Sequence, residues 1–397
     1  MPIGTPFQAR TERLCTSRNW RPWSGHFVAG SYGDFVQPEY AAIRHSAALI
    51  DVSPLYKYIV EGPGATGLLD RVVTQNVARM QRGQVVYTPW CDADGMVRQE
   101  GTVFRLAEDR YQLNAAEPAL DWLLLNAAGF DVKVIDRTST RAALSLQGPL
   151  SRDILRAAGI ADIDALRFFH LTEGEIDGIP VMVSRTGYTG DLGYEIWLPA
   201  GASVPIWDAL MQAGEPWHIT PCGLAAMDIA RLETAFILIN VDYVSSETAR
   251  LDADKMSPYE LGLGWAVKLD KGPFVGRQAL AAMAARKPAR RIAGLAIDWE
   301  PLEEIHLQAG TMPDLPLVPC REPVPVYAGN HGTQVGRVTT RVWSTLLKKY
   351  IALATLDAAH AEPGSELAME ITVRYERRRV PASVVKTPFF RPERMRA

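Results

Sequence analysis

Residues 184–199 read SRTGYTGDLGYEIWLP. Gly187, Gly190 and Gly193 punctuate the first part, with polar side chains between them. Tyr194, Ile196 and Leu198 then alternate with Glu195 and Trp197, the two-residue period of a strand whose faces differ. A glycine-dense loop feeding a strand suits a backbone that bends sharply or comes close to a ligand. Glu195 stands out as a carboxylate inside an otherwise apolar strand. Composition alone leaves two readings open: a hairpin residue facing water, as most strand carboxylates do, or a group turned toward a bound molecule.

Around this stretch lies a chain of 397 residues, long enough for roughly two or three domains. Hydrophobic residues make up 47% and charged residues 22%, an ordinary globular balance. A net charge of −3 argues against a general nucleic-acid surface or an anionic-membrane surface. The four cysteines, Cys15, Cys91, Cys222 and Cys320, are far apart and fall in no zinc spacing, so they read as reduced thiols. No run approaches the roughly 18 apolar residues of a membrane span, and the N-terminus lacks an apolar signal core. The expectation is a cytoplasmic protein.

In chain order, residues 1–40 are polar and aromatic-rich, with Trp20, Trp23, Phe27, Tyr32, Phe35 and Tyr40, and read as an irregular lead-in. Pro38 opens a helix, PEYAAIRHSAAL, followed by a strand, LIDVSPLYKYIVEG. A helix over GATGLLDRVVTQNV precedes two strand-like runs that meet at the tight turn Asp94-Gly95. Residues 117–128 read as helix and FDVKVIDRTS as strand. From Arg141 the pattern restarts: strand AALSLQGP, helix SRDILRAAG, a second hairpin GIPVMVSRTGYTGDLGYEIWLP, and helices over Ser203–Gly214 (with Ser203 as N-cap) and over 222–234. The shared strand, helix and hairpin order hints at a structural duplication. Beyond a boundary near residue 287, six short β-rich runs separated by glycine, proline and acidic turns suggest a small barrel or sandwich. The proline-bearing segment 306–319 reads as a surface excursion.

No phosphate loop, dinucleotide fingerprint, nucleophile elbow or HExxH motif is present, and the seven histidines are scattered. That leaves carboxylates: Glu100, Asp191 and Glu195. Glu100 sits in the first hairpin and Glu195 in a comparable place in the second. Two carboxylates reaching one cavity from related hairpins would hold a cationic or hydrogen-bonding ligand. A fused aminopyrimidine ring is one such ligand, because it offers parallel N–H donors.

RTGYTGDLGYEIWLP and SPYELGLGWAVKLDKGPFVGRQAL together resemble the glycine-cleavage T-protein family of folate-dependent aminomethyltransferases. ALIDVSPLYKYIVEGPGA, YTPWCDADGM, the QGP at 147–149, the RLE at 231–233 and the C-terminal VGRVTTRVWSTLLKKYIALATL extend the resemblance over about residues 38–390. It implies an α+β, three-lobed fold: two α/β lobes and a C-terminal antiparallel β-barrel around a central channel for tetrahydrofolate. The first lobe would comprise 1–56 and 137–250, the inserted second lobe 57–136, a connecting segment 251–287, and the barrel 288–397. By the same resemblance Glu195 matches a pterin-binding glutamate, with Tyr188, Tyr87, Asn114 and Arg231 also on the folate side.

The chain also departs from the family pattern. A pair of aspartates before an L-I-V run is here Arg98-Gln99-Glu100 before Gly101-Thr102-Val103, and an arginine of G-x-x-A-R-D is Met227. Met227 is less suited than a cation to an anion and is expected in the substrate pocket. The same fold serves tetrahydrofolate-dependent demethylases, and the altered hairpin resembles that branch better. The expectation is therefore a one-carbon transferase for a small-molecule donor, foremost a demethylase moving a methyl group to folate N5. Glu100, Tyr32, Tyr87 and Tyr243 are the candidate proton donors or orienting groups. The alternatives are a glycine-cleavage aminomethyltransferase, which would use a lipoyl carrier protein, and a folate-binding protein without transferase activity. The equivalent of the latter group's cysteine motif is Lys271-Gly272-Pro273-Phe274-Val275-Gly276-Arg277, which has no cysteine.

Overall fold

Strand Gly193–Pro199 lies inside a six-stranded sheet, between Ile179–Ser184 and Arg141–Gln147 in the computed structural model, which describes residues 1–396. The order is Leu171–Ile176, Ile179–Ser184, Gly193–Pro199, Arg141–Gln147, Ala47–Asp51, Ile219–Pro221. Apolar residues on both faces make Ala47–Asp51 a fully buried strand. A five-stranded sheet follows the order Val85–Cys91, Val97–Ala107, Arg110–Ala115, Tyr56–Glu61, Lys133–Asp136.

The duplication hinted at by the sequence is visible here. In each sheet a hairpin is followed by a returning strand, then the strand that opened the unit, then the closing strand. Ala47–Asp51 is the one addition, slotted into the larger sheet. The matching also moves Glu195. It lies on the counterpart of Arg110–Ala115, and not, as expected, on the counterpart of the strand that carries Glu100.

The chain passes between the sheets twice, and the crossings are neighbours. Val52 N–H donates to Ala143 O at 3.1 Å, and Arg137 N–H to Lys57 O at 2.8 Å. The buried Lys57 ammonium donates to Ser53 O at 2.7 Å and Leu55 O at 2.6 Å. Desolvation pulls its pKa down to about 8.

The six runs read as β beyond residue 287 are the six strands of one closed antiparallel barrel, from Arg290–Ile297 to Glu376–Val385. A single apolar cluster joins both sheets and the barrel. It holds Val85 and Phe104 from one sheet, Ile50, Ala143 and Trp197 from the other, and Val342, Ile351 and Leu353 from the barrel.

Four local expectations are corrected. The segment before residue 40 is a three-stranded sheet, with His26–Ser31 between Ile3–Gly4 and Asn19–Trp23. The first helix after it is Gln37–His45 and stops at Ser46, where φ −136° and ψ −111° leave the helical region. The alanines beyond join the central strand because tertiary pairing overrides their helix propensity. Ser203 begins its helix without capping it: its hydroxyl donates to Pro6 O at 2.7 Å and Ala200 O at 2.8 Å. Finally, the 306–319 stretch starts inside helix Trp299–Gln308, with the His306 ring buried beside Thr311.

Candidate functional site

The glycine-rich loop is built around Gln147. Its Nε2 donates to Thr186 O and Tyr194 O, each at 3.3 Å, and its Oε1 accepts from Thr189 Oγ1 at 2.8 Å. A Cβ placed on Gly187 or on Gly193 would lie 2.1 Å from Gln147 Oε1. Two glycines are therefore required because a buried amide occupies the space that their side chains would take.

The loop delivers Glu195. Thr186 Oγ1 donates to Glu195 Oε2 at 2.6 Å and stands 2.7 Å from Ser184 Oγ, which itself accepts from Trp197 Nε1 at 3.1 Å. This relay from a buried indole fixes the rotamer of the carboxylate. Burial pushes the Glu195 pKa up, and the Thr186 bond opposes it. Thr186 and Ser184 were missed by the sequence reading; the signal was the hydroxyl pair of the SRT, whose Ser184 is directly opposite Glu195.

Glu100 shares a sheet face with Thr102 and Phe104, two and four residues on. Phe104 meets Trp197 edge-on from the other sheet, and Trp197 shares a face with Glu195. Both carboxylates thus lie on the faces that the sheets turn toward each other. Tyr87, Thr102, Asn114 and Lys57 form one row across four strands of the same sheet. Asn114 Nδ2 donates to Thr102 Oγ1 at 3.1 Å, and Gln112 Nε2 donates to Asn114 Oδ1 at 2.7 Å.

Four of the residues singled out from the sequence come together. Tyr243 OH donates to Glu100 Oε1 at 3.2 Å, and Tyr87 and Tyr188 are electrostatic neighbours of the same carboxylate. Burial pushes Glu100 up to about 7 and holds all three phenols well above their usual range. Yet Tyr87, Glu100, Tyr188 and Glu195 all keep part of their surface accessible. Trp265, 58% exposed, stacks on Tyr87 with centroids 6.1 Å apart. Tyr188 donates to Ile237 O and packs against Phe236.

Two residues are placed elsewhere, and a third, Arg231, lies beside Tyr188 with its donors already taken. Tyr32 is buried in the core of the first sheet among Ala29, Ala47 and Leu49. Its electrostatic neighbours are Asp51, Cys222, Glu39 and Cys15, and it lines a separate surface pocket with Leu14, Phe35 and Pro38. It is not with Glu100, because it packs with Tyr194, Ile196 and Leu198, on the face of the first sheet opposite to Glu195 and Trp197. Arg231 is fully buried, and its guanidinium is committed to the protein. Nε donates to Asp228 Oδ1 at 2.7 Å, Nη1 to Asp242 Oδ2 at 2.5 Å and Phe236 O at 3.1 Å, and Nη2 to Thr340 Oγ1 at 3.0 Å. It ties helix Leu224–Glu233 to the barrel from a place beside Tyr188, so in this structure it braces the wall that carries Tyr188. Met227, half-buried on that helix, packs against the apolar cluster shared by the sheets and the barrel.

The family model for the GCVT N-terminal domain matches residues 17–271, and that for the glycine cleavage T-protein C-terminal barrel domain matches 309–391. The aminomethyltransferase of Halothermothrix orenii is 35% identical over 355 residues, covering 88% of this chain and 90% of its own. That of Streptomyces avermitilis is 35% identical over 388 residues, covering 96% and 95%. A trimethylamine-oxide aldolase of Ruegeria pomeroyi is 32% identical over 371 residues, which are 90% of this chain and 43% of that protein. The crystal structure of glycine cleavage system aminomethyltransferase T from Bartonella henselae superposes with a TM-score of 0.83 at 25% identity, over 98% of each chain. Two consecutive domain matches, near-complete relatives and a shared three-part architecture lead to one conclusion: the chain is an enzyme of the glycine cleavage T-protein family.

Proposed function

We propose that this enzyme transfers a one-carbon unit from a donor nitrogen to tetrahydrofolate, as an aminomethyltransferase does. The observation that carries this reading is a pair of carboxylates on the faces that the two sheets turn toward each other: Glu195, tied by Thr186, and Glu100, held by Tyr243 with Tyr87 and Tyr188 beside it. Aminomethyltransferase relatives covering nine-tenths of the chain support it.

The residues present fit a reduced folate. Glu195 offers an oxygen beyond the one that Thr186 holds, next to the accessible backbone of Gly187. A carboxylate in that position accepts the parallel N–H donors of an aminopyrimidine. Bound there, the folate supplies a nucleophilic ring nitrogen as the carbon acceptor. Thr186 and the Gln147-braced loop hold Glu195 before binding, so little orientation is lost when the ligand arrives. Glu100, ionised above about pH 7, faces a cationic donor nitrogen and steers it. Tyr243 holds Glu100 by its hydroxyl, and the apolar rings around them exclude water.

A second reading, methyl transfer from an ether or related donor, rests on the same pair. A carboxyl group titrating near 7 carries a proton for part of the neutral range and is able to hand it to a leaving oxygen. Incubation with tetrahydrofolate and a panel of donors, an aminomethyl-loaded lipoyl carrier protein among them, separates the readings by the mass of the folate product. A methylene adduct supports the first and a methyl adduct the second; neither, with any donor, favours a binding protein. Titration of tetrahydrofolate into wild type and Glu195→Ala tests the pocket, and equal affinity would falsify the assignment of Glu195.

A further inference from the structure

After the last barrel strand, Glu376–Val385, the chain turns back toward the first sheet. Phe389 packs by Gly294, Phe390 N–H donates to Glu233 O at 2.8 Å, and the Phe390 ring lies 4.7 Å from the Arg44 guanidinium carbon. Arg394 makes the tightest contact. Its Nε donates to Asp191 Oδ1 at 2.6 Å and its Nη2 to Asp191 Oδ2 at 2.9 Å, a two-pronged pair. The same Nη2 reaches Arg44 O at 3.2 Å, at the end of helix Gln37–His45, where a cation meets the negative end of the helix dipole.

Asp191 belongs to the glycine-rich loop, three residues after Tyr188 and four before Glu195, and its side chain is wholly buried. Apart from Arg394, it is held by its neighbour Leu192 N–H at 2.9 Å and by Arg44 Nη1 at 3.2 Å. Arg44 is divided: Nε and Nη2 serve Glu233, at 3.0 and 2.6 Å, and Nη1 also holds Thr189 O at 3.0 Å. Without Arg394 the buried carboxylate keeps the Leu192 N–H and one long contact to a shared cation, too little to offset its desolvation. The loop would then shift to expose Asp191, carrying Tyr188 with it.

We infer that Arg394 is a positioning residue for the folate pocket: the segment after the barrel latches the glycine-rich loop so that Tyr188 and Glu195 stand ready for ligand. The role assigned to the pocket rests on the proposed function; the latch itself does not. The test uses the full chain with Arg394→Ala, Arg394→Lys and, as control, Glu393→Gln, an exposed neighbour. Tetrahydrofolate affinity is measured by calorimetry, amide exchange is followed in the ligand-free proteins, and unfolding midpoints are recorded.

In Arg394→Ala the dissociation constant rises about ten- to thirtyfold, the loss of a charge-assisted pair. Lysine keeps the charge without the fork and recovers most of the affinity. Exchange accelerates within 186–193 and not along strand Arg141–Gln147. The control matches wild type in all three measurements. Unchanged affinity and unchanged loop exchange in Arg394→Ala overturn the latch. So does faster exchange spread across the whole sheet in step with a lower midpoint. A wild-type chain that binds no tetrahydrofolate overturns the function instead, and the ligand-free exchange still decides the latch.

Discussion

Phe104 and Trp197 meet edge-on across the two sheets, with ring centroids 5.4 Å apart and planes at 88°. Both are buried, so this contact sets the spacing of the faces that carry Glu100 and Glu195. Phe104→Ala is expected to cost about 3–5 kcal/mol in denaturant unfolding, the usual range for a truncated core aromatic. Tetrahydrofolate affinity should fall with it, and Phe104→Leu should lose less of both. An alanine variant as stable as wild type would show that the sheets are spaced by something else.

Glu100 makes the pH dependence specific. Burial raises it to about 7 when folded, against an ordinary value near 4.5. Between those values the folded chain holds a proton that the unfolded chain has released. Its contribution to stability is therefore greatest at low pH and is lost as pH rises through about 7. Glu100→Gln should raise the unfolding midpoint by on the order of 2 °C at pH 8 and barely change it at pH 4.5. Scanning calorimetry at the two pH values checks the sign.

The same group separates the two chemistries. Tyr87, Tyr188 and Tyr243 stay protonated throughout, because burial holds them well above 10. One limb near pH 7 in kcat/KM is thus expected, and Glu100→Gln should remove it. Activity rising with pH means the ionised carboxylate steers a donor nitrogen. Activity falling means the carboxyl proton is needed by a leaving group. A limb that survives in the glutamine variant would take Glu100 out of the chemistry.

Gly193 and Gln147 should be coupled. Gly193→Ala brings a methyl against a fully buried amide and is expected to cost about 2 kcal/mol. Added to Gln147→Ala, which clears the amide, the same change should cost distinctly less, a coupling of about 1 kcal/mol. Strictly additive losses in a double-mutant cycle would contradict the steric account.

Arg231 offers a contrast between structure and binding. Arg231→Met leaves buried Asp242 without a cation, while Asp228 keeps Arg321, and should cost about 3–5 kcal/mol. The fraction still folded should bind tetrahydrofolate within about threefold of wild type. Preserved stability with a tenfold loss of affinity would return Arg231 to the pocket.

Legibility followed the range of the cause. The six barrel strands and the Asp94-Gly95 turn rest on alternation and turn chemistry within ten residues, and they can be read directly. Glu195 could be picked out because a carboxylate breaks an apolar strand pattern. The break at Ser46 could not, since the alanines around it favour helix and only pairing with strands about 100 and about 170 residues later makes Ala47–Asp51 a strand. The bonds that engage Arg231 were hidden for a similar reason. Its partners Asp242 and Thr340 come from a later loop and from the barrel, and no local pattern announces them. Glu100 and Tyr243 were each singled out, but the bond between residues 143 apart belongs to the fold.

The two neighbouring crossings between the sheets bear on how such a molecule is assembled over evolutionary time. Because the second sheet is entered and left at adjacent points, bonded from Val52 to Ala143 and from Lys57 to Arg137, its host strands never have to part to admit it. A gene segment encoding that unit could be enlarged or exchanged as a cassette without rethreading the first sheet, provided the new unit still covers the face that meets Trp197.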